Sequence, residues 1–320
     1  MASILISEFM DERAVARLAA QHSVRYEPDL HQDAAGLLRA SAAGCEALIV
    51  RNLTQVRGDL LAAIGRSGRC KAIGRLGVGL DNIDVASCEA LGMAVLPATG
   101  ANAQSVAEYV ITSALLLLRG AYGCTDAVAA GLWPRAAVSH GREIAGQTLG
   151  IIGFGAIGQL TARLAQGLGM GPLLAFDALL SADAPVFAQC GVQPAALDKV
   201  IENADVLSLH IPLVESTRGL LNAARIARMK PGAILINTSR GHIVDLKAVA
   251  SALRAGHLGG AAIDVFDTEP MPADAALQQC PRLLLTPHIS GLSVQANERV
   301  SFMVADRVLE VLKVMAPSAA

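Results

Sequence analysis

Gly153-Phe154-Gly155-Ala156-Ile157-Gly158 carries the GxGxxG spacing, and its surroundings suit a phosphate cradle. An apolar run at residues 149–152 precedes it and an Ala- and Leu-rich helical pattern follows. Asp177 closes the next apolar run, 19 residues beyond Gly158. That order of strand, glycine turn, helix, strand and acid is the fingerprint of a dinucleotide site. Each position has a physical task. Gly153 allows the tight turn, Gly155 lets backbone approach a pyrophosphate, and Gly158 lets helix and strand pack closely. Ala156 and Ile157 open the helix, whose free N–H groups and partial positive charge favour phosphate oxygens. Asp177 would accept hydrogen bonds from ribose hydroxyls and repel a 2′-phosphate, so NAD is expected rather than NADP. The competing reading is that Asp177 merely begins a turn.

The elements around this turn alternate. Apolar runs at residues 3–7, 24–26, 47–51, 72–76 and 94–96 read as strands. Helical patterns at 11–21, 34–42, 58–67 and 85–91 lie between them, the first with Asp11 as N-cap. The alternation restarts after a helix at 105–119 whose apolar residues go nearly all round. That pattern fits either a core helix or one shared with a second subunit. Strands then fall at 149–153, 173–177, 206–210, 233–238, 260–265 and 283–286. Helices fall at 155–168, 197–203, 223–229 and 247–255, and a last one at 296–315. Strand–helix alternation at this spacing predicts α/β architecture, with two doubly wound parallel sheets covered on both faces.

Composition agrees. The 320 residues are 53% hydrophobic and 17% charged, enough to build two cores and too apolar for general disorder. A net charge of −2 with no basic stripe argues against nucleic acid. The six cysteines form no CxxC pair, so neither a metal site nor a redox dithiol is expected, and free thiols suit a reducing cytoplasm. The longest apolar run, residues 114–118, is too short to cross a membrane, and residues 1–9 lack the pattern of a signal peptide.

Further motifs make the pattern more specific. They are Gly74-Arg75-Leu76-Gly77-Val78-Gly79-Leu80-Asp81-Asn82-Ile83-Asp84, Ser105-Val106-Ala107-Glu108, and Ser208-Leu209-His210-Ile211-Pro212-Leu213. Later come Asn237-Thr238-Ser239-Arg240-Gly241, Asp264-Val265-Phe266-Asp267-Thr268-Glu269-Pro270 and Thr286-Pro287-His288-Ile289-Ser290-Gly291. With the glycine turn, these resemble the D-isomer-specific 2-hydroxyacid dehydrogenases, in the branch containing phosphoglycerate dehydrogenase. The resemblance runs through nearly the whole chain. It implies a Rossmann nucleotide domain (residues 99–288) inserted into a flavodoxin-like substrate domain (residues 1–98 and 289–320), and a homodimer joined near the 105–119 helix. It also implies that the regulatory C-terminal domains of longer relatives are not present.

Such enzymes move a hydride between nicotinamide and C2 of a 2-hydroxy or 2-oxo acid. The carboxylate must be held, the carbonyl polarised, and a proton delivered to the new alkoxide. Arg240 suits the first two tasks, because its planar fork matches carboxylate and carbonyl oxygens and it follows a strand end. His288 is expected as acid and base, since an imidazole changes charge near neutrality. Glu269 is its expected partner, fixing the ring's tautomer and favouring its charged form. The resemblance further implies that Asp264 meets the nicotinamide carboxamide, and that Thr238, Ser239, His210, Pro212 and Gly291 line the cofactor. Where the family often has proline after the ribose-binding acid, this chain has Ala178.

For the substrate, Arg51, Asn52 and Arg75 sit near predicted strand ends, beside the Gly77-Val78-Gly79 turn. Backbone N–H groups of that turn could take the carboxylate, leaving the arginines for a second anion. Arg135, from a neighbouring subunit, could add charge. The alternative is that Arg51 and Arg75 pair with local acids. The expected substrate is dianionic, with sulfonate or phosphate at C3. Residues 6–12, 50–52 and 100–102 resemble the family subgroup that acts on sulfolactate, which is favoured over 3-phosphoglycerate and over hydroxypyruvate or glyoxylate. A formate dehydrogenase would place Gln-Pro well before its histidine, whereas here Thr286-Pro287 leads directly to His288. A reading from another class is an NAD-sensing, corepressor-like binding protein.

Overall fold

A computed structural model describes residues 1–314, which form two compact units. One comprises Met1–Asn102 with the chain from Leu292 onward, the other Ala103–Gly291. The expected boundaries, 98/99 and 288/289, fall a few residues short of these.

The first unit runs β1 (Ser3–Ile6), α1 (Glu12–Ala19), β2 (Ser23–Tyr26), α2 (Ala34–Ala42), β3 (Ala47–Val50), α3 (Gly58–Ser67), β4 (Ala72–Arg75), α4 (Val85–Ala90) and β5 (Ala94–Pro97). All its strands pair in parallel, in the order β2-β1-β3-β4-β5. That is the flavodoxin-like arrangement. Successive side chains of a strand face opposite ways. Ile4, Ile6 and Ile49 therefore enter one core, and Leu5, Leu48 and Val50 the other. The first core is closed by α1 and by α12 (Val294–Val314), which contributes Val304 and Val308. Gly74 permits that closeness, because a Cβ there would stand 2.7 Å from a Val304 methyl. Asp11 caps α1 as expected, accepting from the Arg13 N–H at 2.9 Å. The last helix was expected to end at Met315, which lies outside the described residues.

The second unit begins with α5 (Ala103–Arg119) and a short α6 (Thr125–Ala129). It continues with β6 (Leu149–Ile152), α7 (Ala156–Gly167), β7 (Leu173–Phe176), α8 (Pro185–Gln189), β8 (Gln193–Pro194), α9 (Leu197–Asn203) and β9 (Val206–Leu209). Then come α10 (Ala223–Ala227), β10 (Ala233–Asn237), α11 (Leu246–Arg254), β11 (Leu258–Ile263) and β12 (Leu283–Leu285). The strand order is β12-β11-β10-β9-β6-β7-β8. Read from β8 inward, it is the Rossmann order with a seventh strand added beyond β11. Two cores cover its faces, and α5 lies against β10, β11 and α7 within one of them. The helix is thus part of this unit's own core. The short α6, α8 and β8 had no counterpart in the sequence pattern.

Candidate active site

The glycine turn follows β6 and opens α7. Gly153 has φ +95°, and a Cβ there would overlap the His210 carbonyl oxygen. Gly158 lies against the Gly153 carbonyl, so a side chain there would push helix from strand. Gly155 differs: nothing stands within 4 Å of the position its Cβ would take. It caps α7 with no side-chain bond, leaving the N–H groups of the first turn facing outward. Packing therefore requires the outer two glycines, and the middle one guards open space. Asp177 follows β7. Its Oδ2 accepts from the Phe154 N–H at 2.7 Å and its Oδ1 from the Leu179 N–H at 2.8 Å. The carboxylate is held beside the turn.

β10, β11 and β12 are neighbours in the parallel sheet, so their C-terminal ends lie side by side. Arg240 follows β10, Glu269 follows β11 and His288 follows β12. Strand order thus gathers three residues that are far apart in sequence. The Arg240 corner is tied by Asn237, whose Nδ2 donates to the Arg240 carbonyl at 2.9 Å and whose Oδ1 accepts from the Ser239 N–H at 3.0 Å. Ser239 Oγ donates to the Leu209 carbonyl at 2.6 Å, which places it in structure rather than at a surface. Next to it Gly241 lies so close to the Phe266–Asp267 peptide that a Cβ would overlap it. The arginine loop and the glutamate loop are therefore packed backbone to backbone.

His288 Nδ1–H donates to Glu269 Oε2 at 2.7 Å. Because an ionised carboxylate can only accept, this bond puts a proton on Nδ1 and turns Nε2 to the outside. Glu269 is itself fixed, its Oε1 accepting from the Phe266 N–H at 3.0 Å. Both side chains remain part-exposed, at 45% and 35%, so the pair is open to a reactant. His288 has φ 54°, a left-handed conformation that a residue with a Cβ keeps only when its surroundings hold it.

Asp264, at the end of β11, does the holding. It is fully buried. Its main-chain oxygen accepts from the His288 N–H at 2.9 Å. Its carboxylate accepts from the Thr286 hydroxyl at 2.6 Å and from the Ile289 and Ser290 N–H groups, both at 2.8 Å. Asp264 was expected at the nicotinamide carboxamide. Its oxygens are engaged first by this chain, and the loop carrying His288 is wrapped around it.

Two further atoms point to a bound group. Thr238 Oγ1 and His210 Nδ1 are buried with no hydrogen-bond partner. Desolvation pushes the His210 imidazole down to about 3, which makes it a neutral ring, with Nε2 3.0 Å from Ser208 Oγ. Orphaned buried polar atoms, an uncapped helix start and an acid held at the glycine turn fit a dinucleotide. Pro212 is exposed, its carbonyl accepting from Thr217 Oγ1 at 2.8 Å. Gly291 ends this unit.

The first unit holds Arg51, Asn52 and Arg75. A residue that the sequence did not single out, Glu8, organises them. Glu8 is 2% exposed, and its carboxylate accepts from the N–H groups of Arg51, Asn52, Leu53 and Thr54 at 2.8–3.2 Å. Burial works to raise its pKa, but these backbone donors outweigh it and the net movement is downward. The bonds span more than forty residues of sequence, so no local pattern could announce them. The Arg51 guanidinium donates to Asn297 Oδ1 at 2.7 Å and lies 5.8 Å from the Phe9 ring centre. Desolvation depresses its pKa, opposed by the charge of Glu8. Among the described residues Arg51 forms no salt bridge, so the local-acid alternative does not describe it.

Arg75 packs its guanidinium over Gly77. The Gly77 N–H donates to the Arg75 carbonyl at 2.8 Å, so it does not face outward as expected for the proposed carboxylate cradle. Val78 and Gly79 remain for that role. Arg135 belongs to the second unit and is exposed, near the 77% exposed Trp133.

Comparison with known proteins places this geometry. The chain is 50% identical to (S)-sulfolactate dehydrogenase of Chromohalobacter salexigens, over 99% of its own length and all of that protein. It is 35% identical to D-3-phosphoglycerate dehydrogenase of Mycobacterium leprae over 95% of its length, spanning 56% of that longer protein. A solved protein of Thermus thermophilus superposes with a TM-score of 0.86 at 29% identity, covering 99% of this chain and 98% of the other. Residues 111–290 match the family described as D-isomer specific 2-hydroxyacid dehydrogenase, NAD binding domain. The chain belongs to the NAD-dependent D-isomer-specific 2-hydroxyacid dehydrogenases.

Proposed function

We propose that this dehydrogenase acts on a D-type 2-hydroxy acid with a second anionic group, sulfolactate and its 2-oxo partner 3-sulfopyruvate, using Arg240, Glu269 and His288. The observation that carries the chemistry is the His288 Nδ1–Glu269 Oε2 bond of 2.7 Å on a loop held by Asp264. In the direction of reduction, NADH held at the Gly153–Gly158 turn and Asp177 would be the source of the hydride for C2. Arg240 holds the substrate carboxylate and draws electron density toward the C2 oxygen, and its fork suits both. His288 gives its Nε2 proton to that oxygen as the carbonyl pair moves onto it. Glu269 stabilises the imidazolium beforehand and keeps the ring turned for delivery. In the direction of oxidation, the neutral ring takes the proton back.

The substrate class rests on two supports. One is the 50% identity to a sulfolactate dehydrogenase. The other is Arg51, a desolvated cation bound to a neutral amide and free of any carboxylate within salt-bridge distance. Such a group favours an incoming anion. Arg75, the amides of Val78 and Gly79, and Asn52 complete the proposed substrate surface, and Arg135 reaches it from a second copy. The alternative with its own support is 3-phosphoglycerate, given the 35% identity to its dehydrogenase. A homodimer is favoured by the exposed Tyr122, Val128, Leu132 and Trp133, an apolar group in one stretch of chain. Six free cysteines suit a reducing cytoplasm, and no helix among the described residues is long and apolar enough to cross a membrane.

Steady-state turnover of NADH with 3-sulfopyruvate, 3-phosphohydroxypyruvate and hydroxypyruvate tests the proposal. The highest kcat/KM is expected with 3-sulfopyruvate. A higher value for hydroxypyruvate, which lacks a second anion, would remove the role of Arg51. Absence of turnover with every 2-oxo acid would favour the binding-protein reading.

A further inference from the structure

The grip of Asp264 on the His288 loop has an outer half. Thr286 Oγ1 donates to Asp264 Oδ1 at 2.6 Å, and Tyr109 on α5 lies with its hydroxyl 2.7 Å from that same Thr286 oxygen. The directions follow from proton counting. A carboxylate only accepts, so the single Thr286 proton goes to Asp264. The Thr286 oxygen is then an acceptor, and Tyr109 must be the donor. Burial and the charge of Asp264 both push ionisation of the Tyr109 phenol upward, which keeps that proton in place. The chain Tyr109 → Thr286 → Asp264 thus runs one way and ends on the carboxylate that takes the Ile289 and Ser290 amides.

We propose that Tyr109 and Thr286 are positioning residues for proton transfer, acting through Asp264 to fix the His288 loop. The physical reason is the left-handed backbone of His288. That conformation is unfavourable in a residue with a Cβ, and relaxes unless the loop is held. Asp264 can hold it only if its own carboxylate cannot rotate. Oδ2 takes the Ser290 amide, and Oδ1 takes the Ile289 amide together with the Thr286 hydroxyl, a side-chain donor that braces the carboxylate. Tyr109 fixes that hydroxyl in turn and anchors the chain to a 17-residue helix. Neither residue touches the His288 ring through any bond described, so the effect is on placement and not on substrate or cofactor binding.

This rests on His288 as the proton-transfer group, and the test separates the two ideas. Tyr109→Phe and Thr286→Val each remove one hydroxyl while keeping volume. The expected result with NADH and 3-sulfopyruvate is kcat lowered about tenfold, as a misplaced acid would give, with KM and NADH affinity within twofold of the parent. Thr286→Ser restores kcat, and the double variant is no worse than the worse single, because the bonds act in series. Amide exchange at Ile289 and Ser290 accelerates in both variants, which reads the tether without any turnover. Unchanged exchange at those amides, or kcat within twofold of the parent in both variants, overturns the inference. So does a loss of NADH affinity parallel to kcat, which would indicate damage to the whole unit. If His288→Ala retains turnover, the catalytic assignment fails instead, and the exchange result alone decides whether the tether exists.

Discussion

The three glycines of the turn can be told apart by substitution. At Gly153, alanine meets two penalties: a φ of +95° and overlap with the His210 carbonyl oxygen. Left-handed backbone costs roughly 1–2 kcal/mol in a residue with a Cβ, and overpacking about 1–3 kcal/mol. Gly153→Ala should therefore lose about 3 kcal/mol, a fall in Tm of roughly 6–12 °C for a unit of this size. Gly158→Ala should fall in the same range from its clash with the Gly153 carbonyl. Gly155 has φ −76° and open space around its absent Cβ. Alanine there strains nothing, and by restricting the unfolded chain should be neutral or stabilising by up to about 1 kcal/mol. Yet the methyl would stand where a pyrophosphate must approach. Gly155→Ala should keep or raise Tm while NADH affinity drops at least about tenfold, equivalent to about 1.4 kcal/mol. Differential scanning calorimetry and calorimetric titration with NADH read the two effects separately. If Gly155→Ala binds NADH like the parent, the space beside it is not the phosphate cradle.

The remaining substitutions probe single groups. His288→Ala should lower kcat about 10²–10⁴-fold in a stopped-flow NADH assay, as lost acid–base catalysis does. Arg240→Lys should reduce kcat/KM severely, because a point charge cannot reproduce the fork, and this is checked with the same assay. Asp177→Ala should narrow the preference for NADH over NADPH, measured as a ratio of kcat/KM values. Glu8 has a folded pKa below its unfolded value, so its contribution to stability is present above the unfolded pKa and is lost as pH falls through the folded one. Urea melts from pH 7 down to pH 3 should show that loss in the parent. Glu8→Gln should start about 1–3 kcal/mol less stable and show a flatter profile over the same range.

Much of this was legible because it is local. The helices expected at 34–42, 58–67 and 197–203 have those bounds in α2, α3 and α9. Their termini are set by nearby residues. Asp33 accepts from the Gly36 N–H at the start of α2, and Gly68 at φ 64° ends α3. The glycine turn was legible for the same reason, since its strand, helix and acid follow within one stretch of chain. By contrast α8 is five residues long and is held by Phe187 stacking on Phe154, with ring centres 5.0 Å apart. No periodicity can register in so short a segment. The hub roles of Glu8 and Asp264 were beyond reach in another way. Asp264 stood out only through the family resemblance, as a cofactor contact, and each acid becomes a hub only when distant amides converge on it.

Those two hubs have one physical form. In each unit a buried carboxylate sits beyond the end of an inner strand and gathers the N–H groups of a neighbouring loop: residues 51–54 around Glu8, residues 289 and 290 around Asp264, whose main-chain oxygen takes the N–H of His288 as well. A loop so held exposes its side chains while its backbone polar groups are satisfied internally. That is the condition for presenting Arg51 or His288 to a reactant without the loop collapsing onto its own unpaired amides. It also fits the few side-chain partners of Arg51 and His288. Arg51 meets an amide and no acid, and His288 meets a single glutamate. Charge compensation has moved from the side chains to the main chain beneath them. The guanidinium and the imidazole therefore keep donors for a substrate, while the backbone that aims them is fixed by ionic hydrogen bonds stronger than neutral ones.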